Sequence, residues 1–269
     1  MIAMRDMSKC LVLFVNTIYM MSGVALVLGG AYLLSDTERV LLSRLVYNSV
    51  PLHQPLFYYV ALGLMIVGLL VLALSVFGCY AVQVENSCLI ALYLFILLVM
   101  LLAESVFGIL TAICPEYMGL KMENEDVTDL WQRNYGVPGK EQYTAAIDLA
   151  QIKFECCGIN SGKDFMTSWW RLRELAAPNL LVPLSCCHPD PKNPEHSFLD
   201  PQPLNETLCQ DKQPDNYMLA RYTEGCLAPM ISWLHSQTNL LLLTGLIKLS
   251  VQLLLLFVII LACTRQNTK

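Results

Sequence analysis

The sequence predicts an all-α membrane protein: four transmembrane helices and a disulfide-stapled, mainly helical large extracellular loop. Three observations carry that prediction. First, four apolar blocks, Leu11–Leu34, Phe57–Val82, Leu89–Ala112 and Leu240–Cys263, each reach the roughly 20 apolar residues that a bilayer core requires. Second, a long polar segment separates the last two blocks, and six of the 11 cysteines cluster in it between Cys156 and Cys226. Third, the 269-residue chain is 55% hydrophobic and only 14% charged, with mean hydropathy +0.50, too apolar for an ordinary soluble domain.

Taken in order, residues 1–10 form a cytosolic tail with Arg5 and Lys9. The first block, 11–34, competes with a signal peptide, but it exceeds the usual apolar region of about 7–15 residues and no small-residue cleavage site ends it, so it is read as a retained span. Residues 35–56 form a small outer loop. Ser35 and Glu38 stand at capping-box spacing, which predicts a short helix, and Pro51 and Pro55 break it. This loop is too small for a core of its own and is expected to lie against something larger. The second span is 57–82, residues 83–88 are a short cytosolic connection with Glu85 as its only charge, and the third span is 89–112. Residues 113–239 form the large outer loop, 240–263 the fourth span and 264–269 the cytosolic C-terminal tail, with Arg265 and Lys269.

Lysines and arginines in the tails put both termini in the cytosol, although Arg39 and Arg44 lie on the opposite side. From Pro115 to Thr238 there are 10 basic and 17 acidic residues, hence a net charge of −7. The sequon Asn205-Glu206-Thr207 agrees with exposure to the secretory lumen and marks Asn205 for glycosylation. An even set of cysteines on that oxidising side reads as a disulfide framework.

Within the large loop, Tyr143, Ile147, Ala150 and Phe154 recur at helical spacing and lead into Cys156. Glu116 to Tyr135 is a more polar helix candidate, with Tyr117, Leu120, Val127 and Trp131 near one face. Gly136-Val137-Pro138-Gly139 separates the two. Proline and polar residues from Pro178 to Pro214 favour irregular structure. Tyr217 to His235 reads as a further helix running into the fourth span, with Pro229 kinking or restarting it.

Four spans, a small first outer loop and a large second one carrying Cys156-Cys157-Gly158 resemble the tetraspanin family. Pro183-Leu184-Ser185-Cys186-Cys187 is similar to its Pro-x-x-Ser-Cys element, and Glu224-Gly225-Cys226 to the Gly-Cys before its fourth span. Cys79 through Glu85-Asn86-Ser87-Cys88 is similar to its inner loop, while Asn16, Glu104 and Gln252 occupy the places of its polar membrane residues. The resemblance covers essentially the whole chain. It implies a pairing that spacing leaves open among fifteen possibilities: Cys156 with Cys226, Cys157 with Cys186, and Cys187 with Cys209. Gly158 would let the chain turn after the bridged pair. Zinc is not expected, because adjacent cysteines lack the usual ligand spacing.

Cys10, Cys79, Cys88 and Cys263 fall at cytosolic membrane boundaries and are candidates for S-palmitoylation. Cys114 is left over, beside Pro115 at the outer end of the third span. Glu104 and Lys248 each lie eight residues from the outer end of their spans, about 12 Å deep at 1.5 Å per residue. Matching depth allows an ion pair, which Gln252, one turn below Lys248, extends. Asn16, Gly23 and Gly30 recur every seven residues in the first span, and Ala61, Gly68 and Ser75 in the second. Such stripes of small residues permit close helix packing.

Trp169, Trp170 and Arg171 read as an exposed aromatic and basic cluster suited to partner binding. No catalytic constellation, metal-ligand spacing or phosphate loop is found; His53, His188, His196 and His235 are scattered. No cofactor is expected, and the acidic outer loop argues against nucleic acid.

The resemblance implies a membrane organiser that associates laterally with integral membrane proteins of the same membrane, with other tetraspanins or with itself, through the loop segment Ile159–Thr223 and the bundle. It also allows a sterol-sized cavity between the helices, holding cholesterol or another lipid with the loop as its lid. A transporter or channel subunit, with Glu104, Lys248 and Gln252 lining a polar path, is the alternative. An enzyme has no support. The plasma membrane is the expected location, since the tail shows no tyrosine-based sorting signal, with an endosomal membrane as the other possibility.

Overall fold

The computed structural model describes residues 2–45, 53–84, 86–113, 124–191 and 198–267. Pro51, Glu85, Cys114, residues 116–123 of the predicted Glu116 to Tyr135 segment, His196 and Lys269 lie outside these, as do the side chains of Arg5 and Arg265. Four long helices, α1 (Ile2–Ser35), α3 (Leu56–Val84), α4 (Ser87–Ile113) and α10 (Leu227–Asn267), contain segments long and apolar enough to cross a membrane. The short helices are α2 (Thr37–Leu42), α5 (Asn124–Asn134), α6 (Glu141–Phe154), α7 (Trp169–Leu172), α8 (Glu206–Cys209) and α9 (Pro214–Tyr217), with single 3-10 turns at Ser43–Leu45, Gly162–Thr167 and Leu184–Cys186. Among the described residues β structure is confined to two isolated bridges, Cys187–Arg221 and Pro189–Pro203. The chain divides into two units, a helical bundle of residues 1–35, 58–115 and 238–269, and an outer-loop unit of 36–57 and 116–237.

The bundle is built by size matching. Where lipid replaces water, helices gain little from hiding apolar side chains and associate through close contact and polar bonds. The two seven-residue stripes meet in antiparallel register: Asn16 with Ser75, Gly23 with Gly68, Gly30 with Ala61. Asn16 Nδ2 donates to Ser75 O at 2.8 Å. A Cβ at Gly68 would stand 2.8 Å from Gly23 O, and one at Gly30 2.7 Å from Ala61 O, so no side chain fits at either crossing. Beyond the stripes, Val12, Val15, Tyr19, Val71, Tyr93, Leu97, Leu255 and Ile259 close the interior. Phe14, Leu69, Phe107 and Phe257 face outward, as an apolar solvent demands.

The outer-loop unit has a core of a different kind. Val127 and Trp131 of α5, Ile147 and Ala150 of α6, Phe165, Trp170, Val182 and all six half-cystines are buried together. The small outer loop completes this core through Leu42 and Leu45. Lys153 of α6 pairs with Glu38 of α2 at 3.0 Å, and Arg39 reaches Gln237.

Local structure departs from the sequence reading in two places. Ser35 does not cap α2; it ends α1, and Asp36 is the cap, accepting from Arg39 N at 3.0 Å. The carboxylate one residue later meets the first free N–H groups of a helix that begins at Thr37, and it also pairs with Arg39. Tyr217 to His235 is not one helix: α9 ends at Tyr217, and α10 starts at Leu227, after Cys226 has been tied to Cys156. Pro229 therefore sits in the first turn of α10, where the helix restarts and its missing N–H costs nothing. From Pro178 to Pro214 the described chain holds only single turns and isolated bridges, as its composition requires.

Candidate functional site

Two constellations bear on function, and each lies within one unit. In the bundle, three helices contribute to a polar cluster. Lys248 Nζ donates to Glu104 Oε1 and to Gln252 Oε1. Gln252 Nε2 donates to Leu97 O at 2.8 Å, and Lys248 Nζ stands 5.5 Å from the centroid of the Tyr19 ring. Lys248 is 5% exposed and Gln252 fully buried, so this charge is matched inside the bundle rather than by water. On the cytosolic side of it by the predicted topology, Asn16 uses its whole amide: Nδ2 donates to Ser75 O and to Cys79 Sγ at 3.1 Å, and Oδ1 accepts from Tyr93 Oη at 2.8 Å. The structure thus brings Glu104, Lys248 and Gln252 together, while Asn16 belongs to a second layer with Tyr93. Tyr93 and Tyr19 were not singled out from the sequence. Tyr19 stands one turn from Asn16, and that i, i+3 spacing was the available signal.

In the outer loop, disulfides hold the chain around one junction. They join Cys156 to Cys226, Cys157 to Cys186 and Cys187 to Cys209, the same partners that the resemblance implies. Glu155 closes α6 in the left-handed region at φ 52°, and Gly158 turns with φ 72°. A Cβ on Gly158 would fall 2.0 Å from Ser161 O, so the turn excludes every other residue. The junction is zipped by backbone bonds as well: Cys157 N donates to Glu224 O at 2.8 Å and Cys226 N to Gly158 O at 2.9 Å. Asp164 receives Ile159 N and Asn160 N at 2.9 and 2.8 Å, locking the residues that follow.

From this junction the segment between Cys157 and Cys186 emerges. Here the structure corrects the reading of Trp169, Trp170 and Arg171 as one exposed cluster. Trp170 is 8% exposed and stands edge-on to Tyr135 and Phe165, with ring centroids 5.6 and 6.0 Å away. It fits because Gly136, at φ 67°, leaves its indole room; a Cβ there would meet Trp170 Cδ1 at 2.3 Å. Arg171 is spent on Leu180 O at 2.7 Å. Neighbours on a helix point about 100° apart, so adjacency in sequence cannot make one surface. The outward set is Leu172 and Arg173 with the half-buried Trp169: the Arg173 guanidinium stacks 3.8 Å over the Trp169 ring, and Leu172 is 66% exposed. The signal for Arg173 was its i+4 spacing from Trp169.

Of the acylation candidates, Cys10 and Cys88 are exposed, whereas Cys79 accepts the Asn16 amide and Cys263 packs against the bundle core. Asn205 is exposed and caps α8 through Oδ1, which accepts from Leu208 N at 3.0 Å and from Thr207 Oγ1 at 2.9 Å. No group of three or more histidine, cysteine or acidic side chains is placed to hold a metal among the described residues.

The carboxylate in the outer loop that burial perturbs most is Asp148, overlooked in the sequence although it interrupts an apolar run, Ala145-Ala146-Ile147-Asp148-Leu149-Ala150. Burial pushes its carboxyl up to about 7, against the hydrogen bonds from Ser185 and Tyr135 that hold it down. The same burial, with Asp148 beside it, raises the Tyr135 phenol well above its ordinary value.

Compared with known proteins, residues 8–265 match the model of the Tetraspanin family. The CD151 antigen of Chlorocebus aethiops is 36% identical over 125 residues, which cover 46% of this chain and 48% of that relative. Human Tetraspanin-11 is 34% identical over 160 residues, 59% of this chain and 62% of the relative. Human Tetraspanin-33 is 28% identical over 251 residues, 88% and 77% of the two chains. The match thus spans about half the length of the CD151 relatives and most of Tetraspanin-33.

Proposed function

The chain belongs to the tetraspanin family, and from that premise we propose that it binds partner membrane proteins laterally and clusters them. The outer-loop segment Ile159–Thr223 supplies recognition and the helical bundle supplies association within the membrane. The observation that carries this reading is the Trp169–Leu172–Arg173 face. It stands on a segment anchored at both ends by disulfides, so little entropy is lost when a partner docks, and it offers the aromatic and arginine side chains that dominate binding interfaces.

Further parts of the proposal follow from the same geometry. Cys10 and Cys88, whose thiols are accessible, are the acylation sites that anchor the protein in the inner leaflet with both termini cytosolic. A glycan on Asn205 Nδ2 leaves the Oδ1 cap of α8 in place. The protein works at the plasma membrane, and no catalytic step is assigned to it. Cholesterol or another lipid between the helices would have to compete with the internal bonds of Asn16 and Gln252. The same internal pairing of Glu104, Lys248 and Gln252 favours an organiser over a conducting path.

Crosslinking and affinity purification of the full chain in mild detergent tests the reading, with Trp169→Ala and Arg173→Ala combined as the comparison. Loss of specific membrane partners with surface display intact supports the loop as the recognition module. Persistence of the same partners moves recognition to the bundle. Absence of any partner, together with ion current from purified protein in liposomes, overturns the organiser reading in favour of transport.

A further inference from the structure

Asp148 belongs to a buried relay whose proton count does not close with every group in its ordinary state. Tyr135 Oη donates to Asp148 Oδ1 at 2.8 Å, and Ser185 Oγ lies 2.5 Å from the same oxygen. Ser185 Oγ also lies 2.6 Å from Gln151 Oε1. A hydroxyl has one proton, so Ser185 cannot donate to both oxygens. Two arrangements satisfy these distances. In one, Asp148 is the neutral acid and donates to Ser185, which donates on to Gln151 Oε1; Gln151 Nε2 is then buried without a partner, as it stands here. In the other, Asp148 is ionised, Ser185 donates to it, and the Gln151 amide is turned over so that Nε2 donates to Ser185. The two differ by one proton on Asp148 and by the direction of the relay.

No cation offsets the ionised form among the described residues. α6 packs against α2, α5 and the turns at Ser43–Leu45 and Leu184–Cys186. Glu38 of α2 is paired with Lys153, and Arg39 with Asp36 and Gln237. Arg44 reaches His53 O, at 3.5 Å, and Asp129 of α5 is paired with Arg133. The Leu184–Cys186 turn brings the Ser185 hydroxyl and a disulfide-bonded cysteine. On α6 itself, Glu141 accepts from Gly139 N in the first turn, and burial keeps Tyr143 neutral.

We infer that Asp148, Ser185 and Gln151 form a proton-linked latch that tightens the outer-loop unit as its surroundings pass from neutral to mildly acidic. The latch joins α6 to the Pro183–Cys187 element, and disulfides carry that element to Cys157 and Cys209. The Trp169–Arg173 face is held between Cys157 and Cys186, so protonation stiffens the segment that presents it. The sign follows from linkage. The folded carboxyl titrates above its unfolded value of about 3.9, so the folded loop binds the extra proton between the two values. The added stability is complete at low pH and is lost as pH rises through about 7. Any consequence for partner choice rests on the proposed organiser role, whereas the pH response of the loop does not, so the two fail separately.

Amide hydrogen exchange of the full chain in nanodiscs, corrected for intrinsic rates and followed from about pH 8 to about pH 5, reads the latch in residues 141–154 and 184–187. Protection is expected to rise about tenfold per pH unit below about 7. Asp148→Asn flattens this profile, because an amide cannot titrate. Tyr135→Phe removes a donor to the ionised form and moves the midpoint upward, where a purely structural role would lower protection equally at every pH. Should Asp148→Asn not fold, the infrared carbonyl band of a protonated carboxyl, gained by wild type on acidification and moved upward in pH in Tyr135→Phe, gives the same reading. A flat wild-type profile, or one whose midpoint ignores Tyr135→Phe, overturns the latch.

Discussion

In the membrane bundle a buried cation, Lys248, meets a carboxylate, Glu104; in the outer-loop unit a buried carboxylate, Asp148, meets the hydroxyls of Tyr135 and Ser185. The two regions also differ in what holds their helices together. The bundle relies on backbone contact at Gly23, Gly68 and Gly30, the loop on six half-cystines inside an aromatic core. The difference follows from the solvent each region faces. Lipid offers no water to a stray charge, so a charge there is matched by an opposite one. The loop unit borders water, can exchange protons with it, and can hold a carboxylate neutral at modest cost. Covalent bridges suit the loop, where proline-rich chain cannot build enough core, and oxidising surroundings preserve them.

Removing one partner in the bundle is the sharpest way to break this comparison. Lys248→Ala leaves Glu104 uncompensated and should cost roughly 3–5 kcal/mol of bundle stability, read as thermal unfolding in nanodiscs. Glu104→Gln combined with Lys248→Met should recover most of that loss, because no charge remains to be stranded. Recovery absent from the double variant would mean that packing, not charge matching, is what Lys248 supplies. In the loop, Cys156→Ser with Cys226→Ser opens the bridge of longest sequence separation, 70 residues, and should cost about 2–5 kcal/mol. The measurement is protease sensitivity of the loop at 37 °C. Next in size is Gly68→Leu, whose side chain would begin 2.7 Å from Val27 Cγ2 and should destabilise the α1–α3 contact by about 1–3 kcal/mol. Smallest for stability is Arg173→Ala. It should leave loop unfolding unchanged while weakening partner capture, which separates the display surface from the core beneath it.

How much of this was legible in the sequence varies with the range of the physics. The spans were legible because a bilayer imposes its thickness as a run of apolar residues. The small-residue stripes were legible because seven residues make nearly two helical turns, so a repeat marks one face. Their antiparallel matching was not, since it depends on the relative height of two helices. The α2 cap went to Asp36 rather than Ser35 because α1 runs one residue further than the apolar block suggests. Trp170 was misassigned to the surface because two adjacent tryptophans cannot share a direction on a helix, and only the fold decides which one turns inward.

The sequence by itself determined that this is a four-helix membrane protein with a cysteine-rich outer loop, and its motifs placed it near one family. These are properties of composition, order and local period, which survive without knowing any distance. Tertiary structure decided that Lys248 meets Glu104, that Arg173 rather than Arg171 stacks on Trp169, and that Asp148 lies among Tyr135, Ser185 and Gln151. Hydrogen bonds and ion pairs act over a few ångströms between residues up to 198 positions apart. Such contacts are set by how helices pack and which way each one faces, and no local pattern encodes that.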